Sequence, residues 1–245
     1  MIKILLLPLL LLAPIMSLLA QQNSVQTLFL AEKMEQRHQP DSAIQLLSVN
    51  IAENPLDSVY SIIIKRGYLY MSQNKDILAQ ADFENATKSK LHKHEGYEAL
   101  GYLFLKINKF ENAIHQFNTA IEKGGNSTAI YFCRAHAYWD LKKCNEALKD
   151  LEIVLIKDSK HDNADYLKGR IFAYLGKHKE AVAEYTLAMD LVPKEKQAEV
   201  LGYRGISHMV LHQRQQAEVD LKKSIEGGMH RLEITTAYEA VRTRK

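Results

Sequence analysis

The chain has 245 residues, of which 47% are hydrophobic and 25% charged, with a formal net charge of +3. That composition suits a folded chain able to bury a core, and only five prolines and eleven glycines argue against long flexible linkers. The two charge signs are interspersed with no basic run of the kind that tracks phosphates, so nucleic acid is not the expected partner.

The first twenty residues stand apart. Met1-Ile2-Lys3 gives a short positive start, Ile4 to Leu12 is almost unbroken apolar sequence, and Ala20 precedes the polar Gln21-Gln22-Asn23-Ser24. This is the layout of a signal peptide over residues 1–20, cleaved after Ala20. The apolar stretch holds Pro8 and Pro14 and is at the short limit of the roughly 20 residues needed to span a bilayer. Cleavage is therefore the expectation, with export to the periplasm or the outside and no membrane span left; an uncleaved N-terminal anchor is the alternative.

From residue 24 the chain repeats itself. Alanine recurs at Ala43, Ala79, Ala113, Ala147, Ala181 and Ala217, at intervals of 36, 34, 34, 34 and 36 residues. Twelve residues earlier stands a small residue: Ala31, Gly67, Gly101, Ala135, Gly169 and Gly205. Four residues later stands a large one: Leu47, Phe83, Phe117, Leu151, Tyr185 and Leu221. Seven residues later come Ala86, Ala120, Val154 and Ala188, with Asn50 and Ser224 departing in the first and last units, where an array is expected to face water.

Apolar residues at i, i+3, i+4 and i+7 mark one face of a helix. Each unit holds two such stretches around a polar turn such as Asn74-Lys75-Asp76 or Asn108-Lys109, which predicts a helix–turn–helix. Pro55, Pro193, Gly124-Gly125 and Gly227-Gly228 mark the ends of second helices. The units run over 24–57, 60–93, 94–127, 128–161, 162–195 and 198–231. Residues 232–245 follow as a short capping helix carrying Leu232, Ile234, Ala237, Tyr238 and Val241, with a basic end.

Counted within each unit, position 7 is basic at Arg66, Arg134, Lys168 and Arg204, and in the same units position 23 is acidic at Asp82, Asp150, Glu184 and Asp220. In the other two units both change together, to Leu30 with Leu46 and Leu100 with Gln116. Facing helices would bring these positions together, which predicts four ion pairs inside repeats. Cys133 and Cys144 fall at positions 6 and 17 of one unit, too far offset along the helices for easy bridging, so two free thiols are expected.

The pattern of small at 8, aromatic at 11, alanine at 20, aromatic at 24 and alanine at 27 resembles the tetratricopeptide repeat. Position 11 reads Met34, Tyr70, Phe104, Tyr138, Phe172 and His208, and the unit from His94 matches best, with Tyr97, Gly101, Phe104, Ala113, Phe117 and Ala120. The resemblance covers residues 24–231; no unit has tryptophan at position 4, and two have proline at 32. It implies an all-α solenoid, a right-handed superhelix of six helix–turn–helix units, acting as a non-catalytic scaffold that binds a protein or peptide.

In that family the first helices line a concave groove through positions 2, 5, 9, 12 and 13. Carried over, these give Ile64, Tyr68 and Met71; Tyr102 and Leu105; Phe132, His136, Trp139 and Asp140; and Tyr166, Arg170 and Tyr174. Aromatics with an arginine are the composition of binding hot spots, although rings at helical spacing also serve as core. A peptide or partner helix is the favoured ligand, and an envelope glycan or peptidoglycan fragment stacked on the rings is the alternative. The lysine and asparagine that hold acidic chaperone tails in some family members are replaced here by Leu28/Glu32, Ile64/Tyr68 and Glu98/Tyr102. A third reading, an enzyme centred on His136 with Asp140 one helical turn on, has no nucleophile, metal-ligand set or phosphate loop beside it. No metal and no cofactor are implied.

Overall fold

The computed structural model describes residues 23–90 and 94–243; the expected signal peptide at 1–20 and the last two residues of the basic end lie outside them. All regular structure in the described residues is helical. Helix α1 covers 23–36. It is followed by α2 (Pro40–Glu53), α3 (Leu56–Ser72), α4 (Asp76–Ala86), α5 (Glu95–Lys106) and α6 (Phe110–Glu122). Then come α7 (Thr128–Asp140), α8 (Cys144–Lys157), α9 (Ala164–Tyr174), α10 (His178–Met189), α11 (Lys194–Val210), α12 (Arg214–Glu226) and α13 (Leu232–Thr243). The described residues form two compact units, the first ending at Asn126 and the second beginning at Ser127. In each, helices pack in consecutive pairs: α3 on α4 and α5 on α6 in the first, α7 on α8, α9 on α10 and α11 on α12 in the second.

The turn inside each pair is built one way throughout. Residue 15 of the repeat takes a left-handed backbone: His38, Asn74, Asn108, Lys142 and His212 at φ of 58–60°, and Gly176 at φ 74°. The next amide reaches back to the carbonyl five residues earlier, as in Gln39 N to Met34 O at 2.9 Å, Lys109 N to Phe104 O at 2.8 Å and Gln213 N to His208 O at 2.9 Å. This is the Schellman closure of a helix C-terminus, which satisfies carbonyls the helix itself cannot. A left-handed residue with a side chain costs up to about 1–2 kcal/mol relative to glycine. His212 is exposed. His212→Gly is therefore expected to raise stability by about 0.5–1 kcal/mol, read from the midpoint of urea unfolding.

Packing within pairs follows the repeat. The alanines at position 20 and the large residues at position 24 are all fully buried in both units. Position 8 sits against position 24. A Cβ built on Gly101 would lie 2.5 and 2.6 Å from ring carbons of Phe117, and one on Gly169 would lie 2.7 Å from the ring of Tyr185. The two residues compensate: glycine stands opposite Phe83, Phe117, Tyr185 and Leu221, whereas Ala31 and Ala135 stand opposite Leu47 and Leu151.

The four ion pairs form. Arg66 meets Asp82 at 2.6 Å, Arg134 meets Asp150 at 2.6 Å, Lys168 meets Glu184 at 2.8 Å and Arg204 meets Asp220 at 2.7 Å. The three arginine pairs are bidentate, with Nε and Nη2 each donating to one carboxylate oxygen. Two of the arginines also reach the preceding pair: Arg66 Nη1 donates to Ser48 Oγ at 2.9 Å, and Arg204 Nη1 to Thr186 Oγ1 at 3.2 Å. Position 11 then covers the guanidinium, with Tyr70 over Arg66 and Tyr138 over Arg134.

Two expectations need correction. Asn50 and Ser224 do not face water; both are buried. Their polar groups are satisfied by the facing helix, Asn50 Nδ2 donating to Thr27 Oγ1 at 2.9 Å and Ser224 Oγ to the Ala198 carbonyl at 2.6 Å. A small polar residue fits position 27 when a partner stands opposite it. The capping helix exists as α13 and buries Ile234, Ala237 and Val241 beside Ala217 and Leu221, but Leu232 is 79% exposed at its first turn. Neither cysteine is in a disulfide, and burial pushes the Cys144 thiol above its ordinary range. Pro55 and Pro193 stand beyond the ends of α2 and α10 and serve as N-caps of α3 and α11.

Candidate partner-binding surface

The first unit presents its candidates from α3 and α5. The ring of Tyr68 meets Phe83 edge-on at 5.1 Å, and Tyr102 meets Phe117 in the same way at 5.4 Å. The reason is local: position 9 follows the glycine at position 8, so the ring of position 24 that fills the glycine gap also supports the ring at 9. The Tyr102 hydroxyl donates to Glu98 Oε1 at 2.5 Å. Tyr60, on the same helix as Tyr68, points its hydroxyl at Glu95; burial first and that carboxylate second lift its pKa above the ordinary phenol range. Tyr68, Met71, Tyr102 and Leu105 are all half-buried. Ile64 packs against the core beneath them.

In the second unit the candidates separate into two places. Phe132 stacks on His161 with centroids 4.5 Å apart, and the exposed His136 pairs with Asp140 at 3.0 Å along α7. Trp139, Tyr166, Arg170 and Tyr174 form a different cluster. Trp139 meets Tyr174 edge-on at 5.4 Å. The Arg170 guanidinium lies 5.5 Å from the Trp139 centroid, 5.9 Å from Tyr166 and 5.3 Å from Tyr203. Lys142 lies over Trp139 at 4.1 Å and Tyr174 at 5.2 Å. Trp139 and Tyr166 are 6% and 8% exposed, so each offers an incoming group little more than an edge, whereas Tyr174 is 57% exposed.

Sequence reasoning passed over four members of this cluster. Tyr203 sits at position 6 of its repeat, and Lys142 is the left-handed turn residue; neither is a groove position in the family pattern. Arg231 donates to the Tyr203 hydroxyl at 2.5 Å and lies 3.6 Å from Glu199. Glu199, at position 2 of its repeat, was the one legible member. The Tyr166 hydroxyl is buried beside Glu199, and burial, opposed by Arg170 and aided by that carboxylate, drives its pKa far above that of a free phenol.

A second electrostatic feature lies beneath this surface. Asp165 is 6% exposed at the start of α9. Burial, then Glu184, raise its pKa, against the pull of Lys168 and His161. A carboxyl whose folded pKa is raised lowers stability as pH climbs through that pKa and recovers it on acidification. Asp165→Asn is thus expected to stabilise the fold by roughly 1 kcal/mol at pH 7, the scale of one partly screened like-charge contact. The gain should vanish below the ordinary aspartate pKa in urea titrations run from pH 3 to 7.

Sequence models of the tetratricopeptide repeat match residues 94–122 and 134–196. Human tetratricopeptide repeat protein 13 is 25% identical over 178 residues, 71% of this chain and 20% of that protein. The archaeal TPR repeat-containing protein MJ0263 of Methanocaldococcus jannaschii is 33% identical over 99 residues, 38% of this chain and 31% of that one. The chain thus spans less than a third of the length of the curated relatives it matches. Among solved structures, the type IV pilus biogenesis factor PilW superposes with a TM-score of 0.74 at 15% identity, over 88% of this chain and 98% of that one. YrrB, a TPR protein described as having an unusual peptide-binding site, gives 0.66 at 19% identity, over 79% and 97%. The helix pairs, their buried alanines and these likenesses agree: the chain carries tetratricopeptide repeats and has the all-helical solenoid fold of tetratricopeptide proteins.

Proposed function

We propose that this chain is an exported, non-catalytic scaffold that holds a peptide or partner helix against the aromatic faces of its first helices. The observation that carries this reading is the cluster around Arg170, where three aromatic rings and a cation gather on first helices although positions 8, 20 and 24 already fill the core. Tetratricopeptide proteins bind protein or peptide partners, and among the described residues no helix is long and apolar enough to cross a membrane. The leader-like layout of residues 1–20 supports export, with the repeats released into the periplasm or beyond.

Two measurements test the reading. Intact mass of the protein recovered after export should begin at Gln21; a chain retaining residues 1–20 in the membrane fraction would replace release with anchoring. A photo-crosslinking residue at Tyr174 or Tyr68 should trap a protein partner in cells, while one at Ile77, 86% exposed at the start of the second helix α4, should not. Adducts only from Ile77 would move the partner to the other face, and adducts from none would refute peptide or protein binding on these helices.

A further inference from the structure

We propose that Asp165 and Glu184 form a carboxyl pair that shares one proton, a pH-sensitive latch that ties the start of α9 to α10 in mild acid and releases it as the solution turns neutral. The latch stands independently of any partner.

The repeats themselves supply the contrast. In three of them the acid at position 23 is held by an arginine whose Nε and Nη2 each donate to one carboxylate oxygen. The fifth repeat replaces that fork with Lys168, a point donor that reaches Glu184 Oε1 at 2.8 Å. Glu184 Oε2 is left buried, with no N–H or O–H donating to it among the described residues. The same repeat is the only one with a carboxyl at position 4: Asp165 stands where the others have Thr27, Ile63, Tyr97, Tyr131 and Leu201. Asp165 is 6% exposed, and its carboxyl lies within hydrogen-bonding reach of Glu184. Two carboxylates have only acceptors to offer each other. One proton from solvent gives the pair an O–H donor and removes a like-charge contact. Lys168 and a protonated Asp165 together then do what a single guanidinium does in the arginine repeats.

Asp165 is acted on by Glu184 from α10, Lys168 from its own helix and His161 from the α8–α9 connection. Burial and Glu184 favour the proton, and Lys168 and His161 oppose it. Charges on the other helices against α9 are engaged elsewhere: Arg134 of α7 with Asp150 of α8, Asp140 with His136 along α7, and Glu199 of α11 with Arg231. A proton held more tightly by the folded chain contributes its stability in full below the ordinary carboxylate range, and that contribution is lost as pH rises through the raised value. Tyr166 follows Asp165 directly, and Arg170 lies farther along α9 at 5.5 Å from the Trp139 ring. The latch therefore acts on a helix that presents the candidate surface.

The test follows the carboxyl carbons of isotope-labelled aspartate and glutamate by NMR in the exported protein from acid to neutral pH, with Asp165→Asn assigning the Asp165 signal. Asp165 should titrate above the ordinary aspartate range, and Glu184 should show a step at the same midpoint, as coupled sites do. Glu184→Gln, which offers an amide N–H in place of the second carboxylate, should lower the Asp165 midpoint. Lys168→Arg, which restores the fork, should lower it too. Emission of Trp139, the only tryptophan in the chain, should change at that midpoint in the parent and lose that step in Asp165→Asn. Circular dichroism checks that each variant is folded.

An Asp165 midpoint in the ordinary range would overturn the shared proton. A raised midpoint that stays in place in Glu184→Gln would mean that burial alone holds the proton, and would overturn it as well. A midpoint unchanged in Lys168→Arg would show that the proton does not stand in for the missing fork, and the assignment would fail. Trp139 emission without a step at that midpoint would overturn the latch, because proton uptake would end at the pair.

Discussion

Gly101→Ala is expected to destabilise the first unit by about 1–3 kcal/mol, and adding Phe117→Leu is expected to return most of that loss. In an open helix the change would be favourable, because alanine is the better helix former by about 1 kcal/mol. Here the new methyl would lie 2.5 and 2.6 Å from ring carbons of Phe117. That ring is fully buried and supports Tyr102 from beneath, so it cannot swing away without disturbing the candidate surface. Phe117→Leu alone should cost about 1–2 kcal/mol through lost volume. The double variant recreates the Ala135–Leu151 arrangement that the same chain already uses. Urea unfolding of the four proteins gives the coupling; additive losses would show that position 8 is small for some reason other than the ring at 24.

Asp150→Ala should cost about 3 kcal/mol, because it strands the guanidinium of Arg134 in a site where its partner carboxylate is only 4% exposed. Arg134→Leu with Asp150→Gln should instead be close to neutral, within about 1 kcal/mol, since replacing a buried pair by packed uncharged groups costs little or even stabilises. The third repeat shows that the exchange is compatible with the fold: it carries Leu100 and Gln116 at the same positions, with Leu100 buried. Both predictions use one part of the molecule as the control for another. A double variant as unstable as Asp150→Ala would mean that the pair contributes more than charge balance.

The fold was legible because its determinants are repeated. A single small residue near a single phenylalanine says little, but six in phase define two helices and the gap between them. The ion pairs were readable for the same reason, since Leu30/Leu46 and Leu100/Gln116 changed together. What escaped was not periodic. Asn50 and Ser224 looked like water-facing ends because their partners, Thr27 and the Ala198 carbonyl, belong to no repeating position. Leu232 looked like core from spacing alone, yet it stands on the first turn of α13, away from the face that carries Ile234, Ala237 and Val241.

The candidate surface was half legible. Trp139, Arg170, Tyr166 and Tyr174 followed from the family positions, and the structure brings those four together. Their burial did not follow, because it depends on which ring covers which, and position counting carries no such information. Tyr203 and Arg231 come from the next repeat and its tail and enter by side-chain reach.

The arginines that clasp two helix pairs also grade how tightly neighbours are tied. Arg66 links α3 back to Ser48 on α2, and Arg204 links α11 back to Thr186 on α10. At the α8–α9 junction the equivalent cation is Lys168, which pairs with Glu184 within its own helix pair. Residues 158–163 between those helices are irregular and mostly exposed. Stability in such a chain propagates from neighbour to neighbour, and at this joint it passes through apolar packing instead of a clasp: Ala164, Leu167 and Ile171 of α9 share one core with Leu151 and Val154 of α8.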